Sequence, residues 1–187
     1  YMVVIIWKKR IKIWQIIVGG VLIVAVSWEQ IYGYFFSPAR MEMARGALLI
    51  KSFEIIKDFF PLGTGLGTYA SSASGDYYSP IYPMYGLDKV WGLSEDFPAF
   101  VSDSFWPMVL GQTGFLGTIV FLGMLIFIIK KIVKVHKTDK RLYFVGLGSI
   151  GYLLISSTSE SAFVNPLCLP LSILIGLCFI KEKNVRI

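Results

Sequence analysis

Apolar residues in this chain fall in long blocks rather than at a short amphipathic period. After the opening YMVVIIW they fill Ile13–Trp28, Phe105–Ile129, Leu142–Thr158 and Ala162–Ile180, the last two separated by Ser-Glu-Ser. A membrane-crossing helix needs about 20 apolar residues. Phe105–Ile129 meets that length outright. Ile13–Trp28 meets it if Lys12 snorkels and the helix runs on a little, and Leu142–Thr158 is marginal. Trp14, Trp28 and Trp106 stand at block ends, where interfacial aromatics belong. The pattern predicts an all-α integral membrane protein: a multi-span helical bundle fragment carrying a long, partly helical extracytoplasmic loop. Its parts are 1–28 (the end of one apolar helix, a basic turn and one span), 29–104 (the loop) and 105–187 (two to three spans with a basic loop and tail). The opening reads as the tail of an apolar helix cut inside a larger membrane protein; a short anchor starting near Met2 is the alternative.

Within the polar stretch the period changes. Over Ala39–Phe60, Leu49, Phe53, Ile56 and Phe60 recur at helical spacing, with Lys51, Glu54 and Asp58 on another face. This predicts an amphipathic helix that lies at the membrane interface or packs on the bundle. Ser37 and Pro38 suit its start, and Pro61 ends it. Ser102 or Asp103 suits the cap of the next span, with Pro107 in its first turn.

Composition agrees with the block pattern. The 187 residues are 55% hydrophobic with mean hydropathy +0.65, too apolar for a soluble domain of this size. Charge then gives direction. Of 18 basic residues, 13 lie in three clusters, at Lys8–Lys12, Lys130–Arg141 and Lys181–Arg186. The positive-inside rule makes that side the cytoplasm. The stretch Glu29–Ser104, with nine acids against five bases, is then extracytoplasmic. The formal +6 reflects topology and anionic lipid rather than nucleic acid, since no basic face accompanies the aromatics. Cys168 and Cys178, ten residues apart on one predicted helix, stand about 15 Å apart along its axis, too far for a disulfide. His136 sits among lysines without ligand neighbours, so no metal site is expected.

Chemistry is expected in the outer stretch. Gly63, Gly65 and Gly67 resemble a phosphate-cradling loop, but no strand precedes them, no Walker lysine follows, and the loop faces away from cytoplasmic nucleotide. Two readings stay open: a tight turn at the membrane surface, or close backbone approach to an anionic or sugar ligand with free N–H groups. Tyr69, Tyr78 and Trp91 belong to a tyrosine-rich loop that suits sugar faces or an interfacial belt. Arg40 and Arg45 are solvated helix charges or bidentate ligands for a diphosphate. Asp103 is a cap or a carboxylate beside the reaction. Glu160 is the wet tip of a hairpin or an intramembrane acid.

The order of these parts carries a resemblance. Arg45 in an amphipathic helix, then PLGTGLGTY, a variable polar loop, and SDSFWPMVLGQTGFLG resemble the C-terminal region of the O-antigen ligase/polymerase superfamily of bacterial membrane proteins. The resemblance covers roughly Ala39–Phe127. PLGTGLGTYASSASGDYYSPIY and VWGLSEDFPAFVSDSFWP are most similar to polymerases of capsular or exopolysaccharide. It implies a glycosyltransferase of the bacterial cytoplasmic membrane that needs no metal or other cofactor. On the outer face it joins repeat units carried on undecaprenyl pyrophosphate, and its partners are the lipid-linked oligosaccharide, membrane lipids, a flippase and chain-length regulators. Arg45 and Asp103 would be catalytic. Arg40, Gly63, Gly65, Gly67, Tyr69, Tyr78 and Trp91 would bind substrate. Ligases of the superfamily carry histidine where this chain has Asp103, which favours a polymerase. A ligase, and a transporter or channel subunit, are the rival readings.

Overall fold

The computed structural model describes Tyr32 and residues 42–183, so Ile13–Trp28, Ser37, Pro38 and Arg40 lie outside the described residues. Among the described residues the secondary structure is helical, with no strand and a single isolated bridge between Ser94 and Phe97. The helices are α1 (Ala44–Asp58), the short α2 (Ser72–Asp76) and α3 (Ile81–Met84), the long α4 (Phe105–Val135), α5 (Lys140–Ser156) and α6 (Cys168–Lys183).

Two apolar cores hold them. The first gathers Ala47, Leu48 and Ile55 of α1 with Tyr69, Tyr82 and Leu93 of the following loop. Of the two placements expected for the apolar stripe of α1, packing on the bundle is not the one seen. Its buried positions are Ala44, Gly46, Ala47, Leu48, Ser52 and Ile55. Phe53 and Phe60, on the more apolar stripe, are exposed. Small residues let α1 approach α4 closely, whereas the bulky stripe is left facing outward beside Phe115, whose ring meets that of Phe60 at 5.7 Å.

The second core joins α4, α5 and α6 through Leu125, Ile132, Ile150, Leu153, Ile175 and Cys178. The chain runs up, down and up. Ile132 late in α4, Gly146 early in α5 and Cys178 late in α6 meet at one end. At the other end Trp106, early in α4, donates from its indole N–H to Ser157 Oγ just after α5 (3.0 Å). The lysine-rich segments 130–141 and 181–183 therefore share one end, and Asp103 and Glu160 belong to the other. Asp139 caps α5, accepting from the N–H groups of Arg141 and Leu142. Both cysteines lie on α6 and are free. That helix starts at Cys168 rather than Ala162, because Asn165-Pro166 interrupts the apolar block.

α4 is long and apolar enough to cross a membrane. Its most apolar stretch has mean hydropathy 2.2 and is only 11% buried, unlike the core helix of a soluble fold. α5 and α6 have 17 and 16 residues, short of a full span by themselves. α4 is also broken. Gly114 has φ +60° and ψ −156°, leaving a helical segment of about 31 Å over 115–135, a close match to a hydrocarbon core of about 30 Å. Ser104, not Ser102 or Asp103, holds the N-cap position, and it makes no side-chain cap bond.

Candidate functional site

The glycine turn answers the break in α4. A helix interrupted at Gly114 frees backbone groups on both sides of the gap, and burying them unpaired would cost about 1–3 kcal/mol each. Segment 61–67 supplies the partners. Thr64 and Gly65 donate their N–H groups to the carbonyls of Gly111 and Gln112 (both 3.0 Å), and the Pro61 carbonyl accepts from Leu116 N–H (3.1 Å). Gln112 completes the join: its Oε1 accepts from Gly67 N–H at 2.9 Å and its Nε2 donates to the Tyr69 carbonyl. The fit leaves no room for side chains. A Cβ on Gly63 would lie 2.5 Å from the Gly111 oxygen and from the Gly114 nitrogen, and Gly63 itself has φ +75°.

This geometry corrects the expectation of free N–H groups at Gly63, Gly65 and Gly67. Gly63 N–H donates to the Phe59 carbonyl (2.9 Å), and the other two are engaged with Gln112. The glycines shape a plug for a broken helix and offer no backbone cradle to a ligand.

Tyr69 is corrected as well. It is fully buried, its hydroxyl donates to the Leu48 carbonyl (2.7 Å), and its ring stacks on Tyr82. Burial, with a smaller contribution from Tyr82, raises its pKa well above the ordinary tyrosine value. Burial likewise pushes Tyr82 up to about 12, against the lowering effect of its hydrogen bonds with Ser74 and Ala70. Tyr78 is half-buried, with its hydroxyl on the Leu93 carbonyl (2.9 Å) and its ring against Tyr82. Trp91, by contrast, is 71% exposed and is braced by Phe100 and Phe97, with ring centres 5.0 and 5.5 Å away. It is the one of the three expected sugar-contact aromatics whose ring is open to solution.

Arg45 and Asp103 are brought together. The Arg45 Nη2 donates to Asp103 Oδ2 at 3.2 Å, so Asp103 serves as the partner of the arginine rather than as a helix cap. Asp103 also lines an open cleft of about 320 Å³ whose polar wall is Ser71, Ser72, Ser102, Glu160, Ser161 and Asn165. Met108, Val164 and Pro166 complete the lining. Two long-range bonds hold the cleft walls together: Ser161 Oγ donates to the Ser102 carbonyl (2.6 Å), and Trp106 donates to Ser157. The ring of Phe163 packs on Phe105 (4.8 Å) behind them.

Gln112 and the two serines of these staples were not singled out in the sequence. A lone amide in an apolar block is a signal that could have found Gln112. The staples have no such signal, since serines are common in outer loops. Comparison with family models, with curated proteins and with solved structures gives no match.

Proposed function

We propose that the chain is part of a membrane polysaccharide polymerase, a multi-span bundle of the bacterial cytoplasmic membrane with residues 29–104 on its outer face. It joins repeat units carried on undecaprenyl pyrophosphate by glycosyl transfer. One observation carries this reading. Arg45 and Asp103, 58 residues apart in the chain, meet at the end of the helices remote from the lysine-rich end, and Asp103 lines an open polar cleft there. In the transfer an acceptor hydroxyl oxygen attacks the anomeric carbon, and the bond to the pyrophosphate oxygen breaks. Negative charge grows on the departing pyrophosphate. The Arg45 guanidinium, oriented by Asp103, stabilises that charge, the electrostatic form of catalysis. Arg40, from the same part of the chain, is the second candidate phosphate ligand. Exposed Trp91 offers a flat apolar face to the glycan.

The break in α4 favours a second reading, because discontinuous helices form ion and substrate sites in transporters. Its chemistry weakens that reading here. The carbonyls of Gly111 and Gln112 already accept from the glycine turn, and those of Val109 and Gly114 accept from Thr113 and Thr118 hydroxyls. The break is filled and has no idle carbonyls at these positions for an ion.

The test is complementation of a polymerase-deficient strain with the full-length gene carrying Arg45→Ala. Long-chain polysaccharide should be lost while the protein still accumulates in the membrane. Normal chain length from that variant would overturn the role of Arg45. A ligase is separated from a polymerase by whether the product is a lengthened lipid-linked chain or a glycan moved to a different acceptor.

A further inference from the structure

We infer that the cleft holds the acceptor sugar and that Glu160 takes the proton from its attacking hydroxyl; the inference rests on the glycosyl-transfer reading above. The lining decides which substrate fits. Two carboxylates, Asp103 and Glu160, line the cleft, and among the described residues no lysine or arginine lines it, so the cleft wall itself offers a pyrophosphate no cation. Serine hydroxyls and the Asn165 amide, which both donate and accept, suit the neutral hydroxyls of a sugar. At about 320 Å³ the cleft falls at the small end of small-molecule sites, which run from about 300 to 1,000 Å³. The anionic donor is thus left to Arg45, and the neutral acceptor to the cleft.

The two carboxylates differ in their engagement. Asp103 is ion-paired with Arg45. The Glu160 carboxylate has no hydrogen-bond or ion-pair partner among the described residues, although its backbone is fixed on both sides. Glu160 N–H donates to the Ser156 carbonyl (2.9 Å), and its carbonyl accepts from Ala162 N–H (2.8 Å). The Ser161–Ser102 bond then ties this segment to the residue before Asp103. A carboxylate on a cleft wall, half-buried, with its backbone fixed and with no side-chain partner among the described residues, is placed to act as a general base. The step balances. The acceptor O–H proton passes to Glu160, the oxygen bonds to the anomeric carbon, the electron pair of the old bond leaves on pyrophosphate, and Glu160 returns its proton to solvent.

The experiment uses membrane vesicles containing the full-length protein. Its substrate is the lipid-linked repeat unit extracted from a polymerase-deficient mutant of the source organism, and polymer is read at saturating substrate with and without added formate. Glu160→Gln should lower the rate by about 100-fold or more. Glu160→Ala should be as slow, and formate, a small carboxylate able to enter the vacated place, should restore part of its rate while leaving wild type unchanged. Should Glu160→Gln fail to accumulate, the Ala variant decides, and an absence of rescue counts against the proposal. A wild-type rate in Glu160→Gln overturns the role of Glu160 while leaving the polymerase reading intact. A wild-type protein that makes no polymer overturns both.

Discussion

The guanidinium of Arg45, in the first turn of α1, meets the carboxylate of Asp103, just ahead of α4, at 3.2 Å. Each side chain is about one-third exposed (33% and 32%). An ion pair this open to water is worth only about 0.2–1 kcal/mol to folding, so stability alone gives little reason for it. The charge-swapped double variant, Arg45→Asp with Asp103→Arg, separates fold from function. It should restore membrane accumulation and thermal stability to near wild type, yet leave polysaccharide synthesis at least about 100-fold down, as expected when a charge-stabilising donor is lost from its place. Recovery of long-chain polymer in the swapped protein would mean that the pair serves only to hold α1 to α4.

Gly63 and Gly65 are two residues apart and should respond differently to alanine. At Gly63 the added Cβ meets backbone atoms of α4 at 2.5 Å, and backbone cannot swing aside as a side chain can. At Gly65 nothing lies within 4 Å, so the substitution carries only the strain of φ +97°, of order 1–3 kcal/mol. Gly63→Ala should therefore destabilise by more than about 4 kcal/mol or abolish accumulation. Gly65→Ala should accumulate with a modestly lowered melting temperature in detergent. Equal behaviour of the two would remove the plugged-helix account of the turn.

How far the sequence could be read is plain from individual residues. Block length identified α4 and charge clusters identified the lysine-rich end, because both are properties of composition along the chain. The burial of α1 was not legible. Leu49 and Phe53 form the more apolar stripe, but close packing against a broken helix selects the small face at Ala44, Ala47 and Ser52. Tyr69 read as an exposed sugar contact because tyrosine suits either a surface or a core. Only the Leu48 carbonyl, 21 residues away in sequence, decides the matter by satisfying its buried hydroxyl. Asp103 was legible as a residue of interest, but not as the partner of Arg45, since nothing local encodes a contact across 58 residues.

The buried tyrosines predict how the first core responds to alkali. Burial raises the pKa of Tyr69 and Tyr82 above the unfolded value of about 10. Raised pKa values favour the neutral form in the folded state, so their contribution is fully present below pH about 10. It is lost as pH rises through the folded values. For Tyr82, between pH about 10 and 12 the unfolded chain sheds the proton while the folded chain keeps it, which should remove about 1.4 kcal/mol of stability per pH unit. Tyr69 acts in the same direction. For Tyr82, whose value stands at about 12, the total is up to about 3 kcal/mol. Thermal melts in detergent should be nearly flat from pH 8 to 9.5 and fall beyond it. Tyr82→Phe should melt lower at pH 8, having lost its bonds to Ala70 and Ser74, but decline less steeply. Parallel declines in the two proteins would show that Tyr82 does not titrate as its burial requires.

The proposed chemistry depends on which face of the membrane carries the cleft, and exposed side chains make that measurable. Tyr77 is 89% exposed in the loop between α2 and α3, and Lys137 is exposed in the turn between α4 and α5. The native thiols are dealt with first: Cys178 is buried against Gly146, and Cys168 is partly accessible, so both are replaced by Ala or Ser. Removing Cys178 leaves a small cavity and should lower stability by about 1 kcal/mol, tolerable for labelling. In that background, Tyr77→Cys should react with a membrane-impermeant maleimide in intact spheroplasts, and Lys137→Cys only after permeabilisation. The lysine-rich end would be held inward by the same charge bias that orients other membrane helices. The reverse pattern would leave Arg45, Asp103 and Glu160 facing the cytoplasm, away from any outer-leaflet glycan, and no rearrangement of the site could then rescue the polymerase reading.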